Sequence, residues 1–223
     1  MNMKHELKRK ISEAATKRYR INKFFTIQSL ADSLKITEDE IFENFSTRRS
    51  ILYYFYVSRI HIYAEQKEAI DGFAEFTLSE KLSNLFLTLL DQFEEQGDFV
   101  KRTYTSYIIK GACKEALFRD ELIKELQEIF TSDPNISTAC KPLINKYLYQ
   151  IVVLQFHALI QFWKSDKSRN HENSMALVDK WCSLVEEVCY SKITDKGFDL
   201  LKFIAYNSPL NKKLHKCNIP RSK

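Results

Sequence analysis

The sequence predicts an all-α fold, and three observations carry that prediction. Gly and Pro are scarce, four of each in 223 residues, which leaves little material for hairpin turns, Gly-rich phosphate loops or long irregular connections. Apolar residues recur at the three-to-four spacing of a helix through most of the chain. The interruptions are short and fall on helix-breaking residues: Gly72, Gly97, Gly111, Ser132-Asp133-Pro134 and the polar run 166–170. With 44% hydrophobic and 28% charged residues, the composition is that of an ordinary globular protein, and the length suffices for one large domain or two small ones.

The elements follow in order. Leu7, Ile11, Ala14, Ala15 and the Arg18/Tyr19 pair mark one face of a first helix that ends near Asn22. Thr26 starts a short second helix with Ile27, Leu30, Ala31 and Leu34 on its apolar face, and Lys35-Ile36 makes a tight turn. Thr37 starts a third helix whose inward residues are expected to be Ile41, Phe42 and Phe45. Thr37-x-x-Glu40 is a capping box, and Glu38 and Asp39 lie in the first turn, where the helix dipole favours anions. Ser46 or Thr47 caps a fourth helix running through Ile51, Leu52, Phe55, Ile60 and Tyr63 to about Ile70. Two short helices joined by a tight turn and packed on a longer one are helix-turn-helix geometry. Beyond Gly72, helices are expected at about 78–96, 98–112, 114–131, 139–166, 172–191 and 195–206. The domain division predicted is a three-helix unit at 1–50 and a larger helical unit at 51–223.

The run 147–163, YLYQIVVLQFHALIQFW, has 17 residues without a formal charge. It is shorter than the roughly 20 residues of a membrane span and contains Gln150, Gln155, His157 and Gln161, so stable membrane insertion is not expected. A helix apolar nearly all round needs cover on most sides, and a second copy of the chain supplies it; helices 139–166 and 172–191 are the expected homodimer seam. The start, MNMKHELKRK, is charged and no apolar stretch follows it, which points to the cytoplasm. Five cysteines, an odd number without a CxxC pair, agree with that compartment. Cys182 and Cys189, seven residues apart, share a helix face and read as buried thiols before they read as a redox pair.

Charge is distributed unevenly. Residues 1–59 hold 12 Lys and Arg against 7 Asp and Glu, while residues 60–223 hold 22 of each, so the net +5 sits in the first quarter. Within it, residues 4–23 carry eight cations, an electrostatic footprint for nucleic acid. The segment from Lys192 onward is basic as well.

Residues 11–55 resemble the DNA-binding domain of the tetracycline-repressor (TetR) family. The matching pieces are Ile11, Ala14 and Ala15, Thr26, Leu30-Ala31, the Ile36-Thr37 turn, Ile41-Phe42 with Phe45, and Arg48 followed by Ile51-Leu52. The resemblance implies a homodimer on a double-stranded DNA operator, with a ligand in the C-terminal domain changing the spacing of the two reading heads. It places Thr26 and Gln28 at the start of the second helix, Thr37, Glu38, Asp39, Glu43 and Asn44 toward the groove, and Arg48 and Arg49 on the backbone. Hydroxyls and guanidinium groups suit phosphate because they donate to its oxygens. The chain departs from the family pattern in having Lys35 where Gly is usual, Phe42 where a Tyr is usual, and carboxylates at 38–40. A Glu in this helix is a permitted reader of cytosine N4, and Arg48, Arg49 and the basic first helix would supply the phosphate contacts.

No GxSxG, HExxH or Walker loop is present, and His5, His61, His157, His171 and His215 are scattered, so neither catalysis, a metal nor a cofactor is expected. His157 reads as a hydrogen-bonded core or interface histidine. Phe86, Phe93, Tyr104, Tyr107, Phe118, Tyr147 and Gln150 recur on faces expected to turn inward, walls for a hydrophobic or aromatic effector. The function expected is therefore a ligand-responsive, TetR-like repressor. The alternative is a protein of the same fold that has lost DNA binding and holds a lipid or isoprenoid. The acidic third helix and the amphipathic segment 197–206 motivate that alternative.

Overall fold

The computed structural model describes residues 3–111, 116–191 and Lys196. The described residues form α1 (Met3–Ile21), α2 (Ile27–Leu34), α3 (Glu38–Asn44), α4 (Arg48–Glu68), α5 (Leu78–Glu94), α6 (Gly97–Tyr104), α7 (Ala116–Thr131), α8 (Lys146–Ser165) and α9 (Glu172–Tyr190). The expected helix at 195–206, the basic tail, Cys113 and Cys217 lie outside the described residues.

α4 is the axis of the molecule. Ile51 through Ile60 are buried without a break, because α1 covers one side of the helix and α5 and α7 the other. The Ser12 hydroxyl donates to the Ile51 carbonyl at 2.8 Å and fixes α1 on α4. Glu13 pairs with Arg59, whose guanidinium also lies 4.7 Å from the Phe55 ring centroid. At the far end Lys67 donates to Glu125 and Glu128 of α7, both at 2.8 Å. The expected division at residue 50 therefore falls inside a continuous helix that belongs to both units.

Each short helix owes its ends to local side-chain chemistry. Thr26, Thr37 and Thr47 cap α2, α3 and α4 by accepting the amide of the third residue on, and Thr77 does the same for α5. α2 ends where Lys35 turns left-handed at φ 55. There the Ile36 amide bonds the Ala31 carbonyl at 3.2 Å and the Lys35 amide bonds that of Asp32 at 3.3 Å, the Schellman arrangement usually built with Gly.

Several expected boundaries shift. The helix expected from residue 139 starts at Lys146, because residues 141–143 make a 3-10 turn with Pro142 in it and Asn145 caps the helix after that turn. The helix expected at 98–112 ends its α-helical part at Tyr104 and widens into a π-helical turn, Thr105–Ile109. Phe42 is not an inward residue: Ile41 and Phe45 fill the core side of α3, and Phe42 is 50% exposed.

Candidate functional site

The outer surface of the helix-turn-helix is built by α2 and α3. In a helix of 3.6 residues per turn, buried Ile41 and Phe45 put Asp39 and Glu43 on the opposite face, one turn apart, with Phe42 beside them. Asp39, Phe42 and Glu43 are all exposed, as is Glu38 at the helix start. Glu40 is committed to the cap: its carboxylate accepts the Thr37 amide at 2.8 Å and the Thr37 hydroxyl at 3.1 Å. Asn44, expected toward the groove, folds back instead, its amide donating to the Glu40 carbonyl at 2.8 Å while its own Oδ1 is buried.

The three threonine caps are not equivalent. Thr37 gives its hydroxyl proton to Glu40, and Thr47 donates to the Ser50 hydroxyl at 3.2 Å. Thr26 accepts the Ser29 amide at 3.1 Å, is exposed, and keeps a hydroxyl proton pointed at no described acceptor. Of the three, it is the cap whose hydroxyl donor is left uncommitted among the described residues. Gln28, the second residue of the same helix, is exposed as well.

The two arginines part company. Arg48 donates to the Phe25 carbonyl at 3.0 Å and lies 5.5 Å from the Phe25 ring centroid, tying the loop before Thr26 to the start of α4. A guanidinium has five N–H donors, so this contact leaves others for the backbone of a ligand. Arg49 reaches across to the helical domain, donating to the Ser106 carbonyl at 3.1 Å and covering the Tyr107 ring at 5.0 Å. It grips the π-helical turn that ends α6, not the surface of α3.

In the helical domain, four of the seven expected pocket residues are core. Phe86, Phe93, Tyr104 and Phe118 are buried in one aromatic cluster together with Tyr56, Phe99 and Phe156. Tyr107 is half-buried under Arg49. Tyr147 and Gln150 turn outward, Tyr147 at 63% exposure, because the face of α8 that they share is not the one packed on α5 and α7. His157 touches the cluster: its Nδ1 lies 2.8 Å from the Tyr104 hydroxyl. Burial pushes its pKa down to about 4, so the ring is neutral at pH 7 and shares a hydrogen bond with the buried Tyr104 hydroxyl, which desolvation holds protonated. An apolar groove of about 240 Å³ opens between α5, α8 and α9, lined by Phe86, Gln155, Phe156, Phe162, Leu177 and Trp181 among others. Of the expected set only Phe86 reaches it.

Cys140, Cys182 and Cys189 are buried free thiols, and burial pushes Cys182 and Cys189 up to about 12. Cys189 neighbours Cys140, not Cys182, and the Ser137 amide bonds the Cys189 carbonyl at 2.9 Å.

Residues 81–204 match the model of a family described as "Tetracyclin repressor-like, C-terminal domain", more than half of the chain. The chain belongs to the tetracycline-repressor family. Among solved structures, it is similar to the TetR transcriptional regulator from Nitrosomonas europaea ATCC 19718, with TM-score 0.59 and 13% identity over 80% of this chain and 96% of that one. The TetR family regulator PfmR from Thermus thermophilus gives TM-score 0.44 and 18% identity over 76% and 94%. No curated protein matches. Within the TetR fold, α8 and α9 carry an exposed apolar stripe: Tyr147, Ile151, Leu154 and Phe162 on one helix, Leu177, Leu184 and Val188 on the other. Steps of four, three and eight residues on α8, and of seven and four on α9, keep each series on one face of its helix. None of the described helices is long and apolar enough to cross a membrane.

Proposed function

We propose that the protein is a homodimeric transcriptional repressor that binds an operator through α2 and α3 and releases it when a hydrophobic or aromatic small molecule occupies the helical domain. It acts in the cytoplasm. The observation that carries this reading is the helix-turn-helix itself: α3 is capped, anchored in the core by Ile41 and by Phe45 against Tyr54 of α4, and presented outward, while Thr26 at the start of α2 keeps its donor. The apolar stripe of α8 and α9 supports the dimer, since a second copy of the same stripe would bury both. The groove between α5, α8 and α9 supports the effector, being apolar with Gln155 as its one amide.

The test is capture of duplex fragments of the source genome by the purified protein at low salt, with mass measured by light scattering in the same buffer. A dimer that retains a discrete set of fragments is the expected result. A monomer, or a dimer that retains no fragment, sinks the proposal.

A further inference from the structure

The outward face of α3 offers acceptors and no donors. Asp39 and Glu43 stand at its centre, exposed and without a partner among the described residues, and Phe42 stands beside them. The side chains that would have added donors or variety are occupied: Glu40 closes the cap and the Asn44 amide bonds its own helix. An ionised carboxylate only accepts. In the major groove the donors are the exocyclic amines, N4 of cytosine and N6 of adenine, whereas guanine shows two acceptors and thymine shows O4 beside a methyl group.

We infer that Asp39 and Glu43 read exocyclic amino groups, cytosine N4 before adenine N6, and that Phe42 lies against a thymine methyl. This rests on the DNA-binding reading above. Cytosine comes first because its amine neighbours an apolar C5–H, while the adenine amine neighbours N7, an acceptor that a carboxylate cannot satisfy. The selectivity is largely repulsive: thymine O4 or guanine O6 set against a desolvated carboxylate costs more than a merely absent contact. Four residues of helix advance about 6 Å and one base pair advances about 3.4 Å, so the two amines stand about two base pairs apart in each half-site.

The test is selection of bound duplexes from a randomised library at low salt, by the full-length protein and by its Asp39→Asn, Glu43→Gln and Phe42→Ala variants. These substitutions are on exposed positions and leave the cap and the core intact. The native protein is expected to enrich cytosine at two positions about two base pairs apart, with thymine adjacent. Gln and Asn bridge adenine N6 and N7, so Glu43→Gln should move one position from cytosine to adenine and Asp39→Asn the other, each by about ten-fold or more. Phe42→Ala should erase only the thymine. If the native protein selects a motif that both amide variants also select, the carboxylates are not readers and this inference fails alone. If the native protein retains no duplex, the DNA-binding reading fails first.

Discussion

α3 and α8 each leave a face uncovered in the single chain, and the two faces are of opposite kinds. That of α3 carries Asp39, Glu43 and a lone Phe42; that of α8 carries Tyr147, Ile151, Leu154 and Phe162. Carboxylates are at ease in water, so α3 is stable uncovered, and nothing about its own folding requires a partner. An apolar stripe of that length is costly to leave wet, so α8 demands cover. The internal supports differ in the same sense: α3 is a seven-residue helix held by its cap and two anchors, whereas α8 is held by burial of one whole side.

The largest effect that tests this contrast comes from charge on the apolar face. Leu154→Glu combined with Leu184→Glu should convert the proposed dimer to monomer in light scattering and weaken the proposed operator binding by about 100-fold or more, because two half-sites are no longer linked. Glu43→Gln on α3 should leave the mass unchanged. Equal behaviour of the two variants would abolish the distinction.

Next in size is the acid response of the buried side. His157 titrates near 6.5 when unfolded and near 4 when folded. Below pH 6.5 the unfolded chain takes up a proton that the folded one refuses, so stability falls by about 1.4 kcal/mol per pH unit down to about pH 4. Above pH 6.5 the group contributes no slope. Urea melts of His157→Gln should show that slope flattened, and an unchanged slope would mean that another group carries it.

Smaller effects belong to α3 and the turn before it. Thr37→Ala removes the cap and should cost about 1 kcal/mol, measured by urea unfolding. Lys35→Gly relieves a left-handed residue but adds backbone entropy to the unfolded chain, and a net gain of about 0.5 kcal/mol is expected. A loss there would show that the Lys35 side chain contributes more than its backbone costs.

Much of the helix-turn-helix was legible because its determinants are local. The Thr37–Glu40 box, the Thr26 and Thr47 caps and the awkward Lys35 all act within five residues, and the structure shows each one. What the sequence hid was long-range. Arg48 and Arg49 read as two neighbouring phosphate ligands, but their partners are 23 and 57 residues away in the chain. Phe42 read as core because it is aromatic; the two inward places were already filled by Ile41 and Phe45. In the helical domain a residue's hydrophobicity does not say whether it packs, lines a groove or faces outward. Phe93, Phe86 and Tyr147 do one of each, and only the packing of α5, α8 and α9 separates them.

The unbroken α4 has a mechanical consequence. Its 21 residues, at about 1.5 Å each, make a rod of roughly 30 Å. Arg59 and Glu13 clamp its middle, and Lys67, Glu125 and Glu128 anchor its far end. A rod so anchored is a lever, and by simple geometry a tilt of about 5° at the anchor displaces the other end by about 3 Å, close to one base-pair step.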